Sequence, residues 1–293
     1  MNHRIFAPLG LSAQPGHQRH LLLGFCFVPV FLFLRFFLDK FVFNRLSLWL
    51  VYKPVSSKSK IDDATRNNIG KCSESLWKLL YYVAVELFVL WIVHDEPWLI
   101  DLAQCFADWP HHELRTPLNL FYMCQFGFYI YSIVALLVWE TRRKDFAVMM
   151  SHHVITSLLI GLSYTGSFFR IGAIVLALHD ASDIFMETAK IFKYSGSELG
   201  ASISFGLFSL SWLILRLVYF PFWVIRASSV ELIKHLDMSK AYMASVYYYF
   251  NTMLLMLLVF HIYWWLLICS MIMKQLRNSG KVGQDIRSDS EDE

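Results

Sequence analysis

Charge is what this chain has least of. Asp, Glu, Lys and Arg supply 17% of its 293 residues, where an ordinary soluble domain carries about 25%. A water-facing surface of the usual kind is therefore excluded, and the composition points to the membrane. No block of basic residues is present and the net charge is only +3, so no nucleic-acid partner is expected. Cys26, Cys72, Cys105, Cys124 and Cys269 are scattered without a CxxC pair, which indicates neither a zinc site nor a disulfide framework. No internal repeat is found. The polar N-terminal stretch lacks a clear small-residue cleavage site after its apolar run, so that run is read as a retained anchor.

What the chain does have is long apolar runs. Seven stretches, at 21–38, 76–94, 119–139, 147–165, 168–189, 202–225 and 246–273, approach or exceed the ~18 residues that cross a bilayer. The expected fold is an all-α polytopic membrane protein with about seven transmembrane helices. Arg35 interrupts the first stretch, Pro29 is expected to kink it, and Pro221 is expected to bend the sixth. The expected organisation is a luminal segment at 1–20, an anchor helix at 21–38, a cytosolic connection at 39–75, a six-helix domain at 76–273 and a cytosolic acidic tail at 274–293.

Orientation is read from the cations. Lys53, Lys58, Lys60, Arg66, Lys71, Lys78, Arg142, Arg143, Lys144, Lys190, Lys193, Lys274, Arg277, Lys281 and Arg287 fall on one side. Arg4, Arg19, Arg115, Arg170, Arg226, Lys234 and Lys240 fall on the other. Positive residues collect in the cytosol, so a cytosolic C-terminus and a luminal N-terminus are expected. In the tail, Ser288 and Ser290 each precede a Glu by three positions, a pattern suited to an acidophilic kinase or simply to a solvated end.

Against this apolar background, "SHH" at 151–153 and "LHDASDIFMETAK" at 178–190 stand out. Ionisable groups inside hydrocarbon cost at least about 2.5–3.5 kcal/mol each on the insertion scale and so require partners or a polar cavity. His179, Asp180, Asp183 and Glu187 share one side of a helix by their i, i+3 and i, i+4 spacings. His152 lies eight residues past Lys144, and Asp183 seven before Lys190, about 12 and 10 Å along two antiparallel helices. Both groups are thus expected at one depth, in a chamber open to the cytosol. A histidine there serves as general base or nucleophile, with a carboxylate to orient the ring and stabilise the imidazolium. Because adjacent residues point about 100° apart, only one of the two histidines is expected to face substrate. Arg142, Arg143, Lys144, Lys190 and Lys193 at the mouth suit an anion such as the phosphates of coenzyme A, although cations gather at that boundary for topological reasons too. Metal ligation by His152, His153, His179, Asp180 and Asp183 is the chemical rival, disfavoured because repeated histidine boxes are missing; no metal is expected. An ion or lipid pathway would use the same residue types. Glu86, Arg216, Asn251 and His261 are read as structural pairs between helices.

The ordered pieces "RRKDF" at 142–146, "HH" at 152–153, "SY" at 163–164, "R.G" at 170–172, "LHDASD" at 178–183 and "E.AK..KY" from Glu187 to Tyr194 resemble the signature of the ceramide synthase family, TLC-domain N-acyltransferases. "DEPW" at 95–98 and the stretch at 121–140 look most like the plant branch. The resemblance implies a six-helix barrel with one added N-terminal helix, in the endoplasmic-reticulum membrane. It implies transfer of a fatty acyl group from acyl-CoA to a sphingoid base, giving (dihydro)ceramide and CoA, with acyl-CoA as co-substrate and no permanent cofactor. It also implies that His152, His153, Asp180 and Asp183 are the catalytic residues, with His179, Glu187 and Arg170 as supporting candidates. The acidic tail resembles a motif linked to homo- or heterodimers, and the loop near 226–243 sits where animal members choose acyl length. Direct attack by the amine and prior acylation of a histidine both remain open.

Overall fold

The computed structural model describes residues 15–52, 62–140, 142–278 and 283, with side chains from residue 22 onward. The first 14 residues, Lys53, Lys58, Lys60, Lys281, Arg287 and the tail serines Ser288 and Ser290 lie outside the described residues. Among those described there is helix and no strand. The main elements are α1 (Pro15–Leu38), α2 (Asn44–Val51), α3 (Asp63–Val93), α4 (Thr116–Val138), α5 (Phe146–Thr165), α6 (Phe169–Tyr194), α7 (Glu198–Ser211) and α8 (Ala241–Arg277).

Six helices among the described residues are long and apolar enough to span a membrane: Leu22–Val51, Asp63–Val93, Thr116–Val138, Phe146–Thr165, Glu198–Lys234 and Ala241–Arg277. The first exceeds the expected anchor. A π-helical turn, Asp39–Phe43, joins α1 to α2 and carries the helix through the stretch expected to be a connection. The interrupting charges are held against α3 instead of ending the span. Arg35 donates to the Ser73 carbonyl at 3.2 Å, and the Ser73 hydroxyl donates to Asp39. Pro29 lies inside α1 without terminating it. On the other side of the link, the Asp62 side chain accepts from the Thr65 amide at 3.3 Å and caps α3, so that helix begins more than a dozen residues before the expected start.

The sixth span is α-helical only as far as Ser211. From Trp212 to Ile225 it widens into a π-helix with Pro221 inside. Proline lacks an N–H and collides with the carbonyl four residues back in α geometry, and π turns inside helices frequently mark functional positions. The helix that fails the apolar criterion is α6, expected as the fifth span, because Asp180, Asp183, Glu187 and Lys190 crowd its second half. It runs along α3 and α7, and also packs on the π-helical segment, which gives its charges neighbours other than lipid.

Glycine sets the closest approaches, as expected where helices associate without a hydrophobic drive between them. A Cβ at Gly127 would stand 2.7 Å from the Gly24 carbonyl and collide with Phe27, so α1 and α4 touch backbone to backbone. Beyond this crossing Phe31 packs its ring against Trp77, Tyr81, Phe128 and Tyr131. At Gly172 a Cβ would meet the Tyr122 hydroxyl and stand 2.7 Å from the Ser163 Oγ. That hydroxyl sits 2.9 Å from Ser163 Oγ and donates to the Phe169 carbonyl at 2.9 Å, tying α4, α5 and α6 together.

Gly172→Ala is therefore expected to cost about 1–3 kcal/mol through overpacking. Gly161, with nothing within 4 Å of its Cβ position, is the control. Melting temperatures of both variants in one detergent check this: Gly172→Ala should fall by several degrees and Gly161→Ala should not.

Candidate active site

A cavity of about 760 Å³ opens between α3, α4, α5, α6, α7, the π-helical segment and α8. His152 and His153 both line it, although adjacent residues on a helix point about 100° apart. The two imidazole centroids are 5.6 Å apart, and the cavity is broad enough to be bounded by both. Asp183 and Glu187, one turn apart on α6, line it as well, together with Arg142, Arg143, Lys190 and Lys193 toward the helix ends. Lys144 is exposed and is not part of the wall.

His152 is held by ring packing. It is 7% exposed, with the Trp264 indole edge-on at 5.3 Å, His179 stacked at 6.3 Å, and Phe260 and Tyr129 at 6.4 and 6.5 Å. Tyr129 also meets His153 at 5.7 Å. The Nδ1 atoms of both histidines have no hydrogen-bond partner among the described residues. Trp264 is fixed in turn by Asp145, whose carboxylate accepts from the indole N–H at 2.9 Å. Asp145 precedes α5 in the N-cap position, yet its side chain caps nothing there. Neither Trp264, Tyr129 nor Asp145 was singled out from the sequence. An Asp before a helix reads first as a cap, and single aromatic residues in an apolar helix read as core.

The acidic face of α6 divides. Asp183 accepts from Arg216 Nη2 at 2.7 Å. Asp180, 1% exposed, accepts from the Gln125 amide, whose oxygen accepts from the Tyr81 hydroxyl at 3.0 Å. Asp180 therefore stands outside the large cavity wall, and the expected single chamber holding both carboxylates is corrected. A three-residue step on a helix turns 300°, enough to aim the two groups at different neighbours. His179 donates from Nδ1 to the Val175 carbonyl at 2.6 Å, since a carbonyl only accepts. Its Nε2 then accepts from His261 Nε2, 2.8 Å away. Glu187, 1% exposed, pairs through Oε1 with Lys190 at 2.7 Å.

Arg170, expected as a supporting residue, is at the opposite end of α6. It donates to the carbonyls of Gln104 and Ala107 at 3.1 and 3.5 Å, where it braces the 94–115 loop. Asn251 is structural, as expected, accepting from Ser228 and Ser229 at 3.0 and 2.9 Å. Arg216 is not merely structural in placement, because it lines the cavity beside His152 and Asp183. On the α3 side Lys78 bridges Glu74 and Glu140 at 2.9 Å each. Among the described residues no three His, Cys, Asp or Glu side chains converge as metal ligands.

Residues 71–270 match a family model described as TLC domain. The chain is 61% identical over 274 residues to "Ceramide synthase LOH2" of Arabidopsis thaliana, covering 94% of this chain and 93% of that one. It is 47% identical over 291 residues to "Ceramide synthase 1 LOH3" of the same plant, covering 96% and 94%. To "Ceramide synthase hyl-2" of Caenorhabditis elegans it is 32% identical over 222 residues, covering 74% and 67%. With a domain match over more than half its length and near end-to-end alignment to the two plant proteins, the chain belongs to the TLC-domain family, in its plant ceramide synthase branch.

Proposed function

We propose that this protein is a ceramide synthase that joins a fatty acyl group from acyl-CoA to the amine of a sphingoid long-chain base, releasing CoA. The observation that carries the reading is a shared wall: two imidazoles and the Asp183 carboxylate line one cavity whose rim holds Arg142, Arg143, Lys190 and Lys193. Thioester aminolysis needs a basic or nucleophilic nitrogen, a group to stabilise the cation it becomes, and a seat for a polyanionic carrier. All three needs have residues in that list. The aliphatic tails call for an apolar surround, and Phe128, Leu136, Phe205, Phe208, Leu267 and Ile268 complete the wall.

In this reading His152 is the nucleophile or the general base, and His153 takes the proton that the substrate ammonium must shed before its nitrogen can bond to carbon. Asp183 stabilises the imidazolium electrostatically. Asp180 holds α6 to α4 through Gln125, and His179 backs His152 by stacking. Both routes give the same products. Either the amine adds directly to the thioester, or a histidine is acylated first and the amine then displaces it. The cationic rim suits the adenosine and pyrophosphate end of CoA.

By the positive-inside rule the cavity mouth faces the cytosol and the 94–115 loop faces the lumen of the endoplasmic reticulum. α1 and α2 serve as the N-terminal anchor beside the 76–273 catalytic unit, and the acidic tail is where a homo- or heterodimer contact or phosphorylation at Ser288 and Ser290 would fall.

Purified protein supplied with acyl-CoA and sphinganine should yield dihydroceramide by mass spectrometry. His152→Ala and His153→Ala should each lose at least about 100-fold of that rate, the scale of acid–base catalysis, while still inserting into membranes. Normal output from both variants would sink the reading. For the covalent route, protein mixed with acyl-CoA alone should gain the mass of one acyl group in a single-turnover trap. A bare mass at every time point leaves direct attack as the mechanism.

A further inference from the structure

The mechanism above leaves one charge unattended. When a nitrogen adds to a thioester carbon, the carbonyl π electrons move onto oxygen, and the resulting oxyanion needs a donor until it collapses and expels the CoA thiolate. A fixed donor aimed at that oxygen is worth far more in a partly desolvated site than in water.

Arg216 is built for that position. Its Nε donates to Ser182 Oγ at 2.8 Å, and its Nη2 donates to the His179 carbonyl and to Asp183, both at 2.7 Å. These bonds leave Nη1 and its two hydrogens without a partner among the described residues. The guanidinium plane lies over the Trp212 ring, 4.0 Å from its centroid, which fixes the fork so that the remaining nitrogen has a defined direction. The side chain is 4% exposed and lines the reaction cavity, so the surface it retains is the surface it presents there. Two packing chains set it beside the reacting imidazole. Trp212 meets Trp264 at 6.1 Å, and Trp264 meets His152 at 5.3 Å. The His179 carbonyl that Nη2 binds belongs to the residue whose ring stacks on His152. Arg216 also sits in the π-helical segment, where local widening turns side chains away from their α-helical directions.

We infer that Arg216 is a catalytic residue: its Nη1–H group donates to the thioester oxygen as that atom becomes the oxyanion of the tetrahedral intermediate. The inference rests on the function proposed above and serves either route, because the same oxygen gains charge whether histidine or amine attacks. The C–S bond breaks as the carbonyl re-forms, the thiolate leaves with CoA, and the proton from the amine resides on a histidine.

The test uses full-length protein in detergent with Arg216→Lys and Arg216→Ala. Loss of one such donor costs about 10²–10³ in kcat, so both variants should fall by that factor while KM for acyl-CoA stays within about threefold of wild type, a split expected when the lost bond forms only in the transition state. Added guanidinium should restore part of the Arg216→Ala rate. A folded variant whose kcat stays within about threefold of wild type overturns the inference, and so does failure of both variants to give folded, monodisperse protein, which would make the residue structural. Wild-type protein that makes no ceramide in the same assay would instead overturn the proposed function.

Discussion

A charge inside an apolar bundle has to find its partner within the protein, because hydrocarbon offers none. The contact on which the candidate site depends is the one between Arg216 and Asp183, 2.7 Å long and reinforced by Ser182 and the His179 carbonyl. Removing one member of such a pair leaves an uncompensated buried charge, at a cost of about 3–5 kcal/mol. The pair also fastens α6 to the segment that follows α7, so the wall of the cavity and the charge balance of the cavity are maintained by the same contact.

From this contact outward, α6 acts as the hub of the molecule. Within nine residues it reaches four different partners: His179 meets His261 of α8, Asp180 meets Gln125 of α4, Asp183 meets Arg216, and Glu187 meets Lys190 on its own next turn. Each polar group is matched by a neighbour in a different direction. A helix with this much charge could not face lipid, and the helices around it are correspondingly rich in apolar surface: Leu87, Trp91, Leu207 and Leu266 are all exposed on the outside. The unequal distribution of polarity among the helices is thus the counterpart of a single polar interior.

Most of the fold was legible in the sequence, because span length and hydropathy are properties of segments. The helices from 116 to 194 begin and end within a few residues of their expected limits. The anchor was read too short because Asp39 and Lys40 look like a boundary, whereas Arg35 pairs with Asp39 one turn on and both are met by Ser73 of α3. In the site, Asp183 and Glu187 were marked by one-face spacing, and His152 and His153 by their place in an apolar run at the depth of Asp183. That same spacing overreached at Asp180 and His179, since it specifies a side of a helix and not the neighbour that a side chain meets. Arg216 was visible as an embedded charge, but its partner is 33 residues away in sequence, beyond any local periodicity. Asp145 carried a signal only as part of "RRKDF" and Trp264 carried none; their contact spans 119 positions.

The way the histidines are held bears on what they can do. In a hydrolytic triad a carboxylate grips one ring nitrogen and leaves the other to react. Here Asp145 grips an indole and the indole edge positions His152, one ring removed. Orientation is achieved through ring contacts, and Nδ1 of His152 and Nδ1 of His153, both buried, have no hydrogen-bond partner among the described residues. Packing of this kind fixes each ring in the cavity wall through contacts that consume no ring nitrogen, and Arg216 lines the same wall.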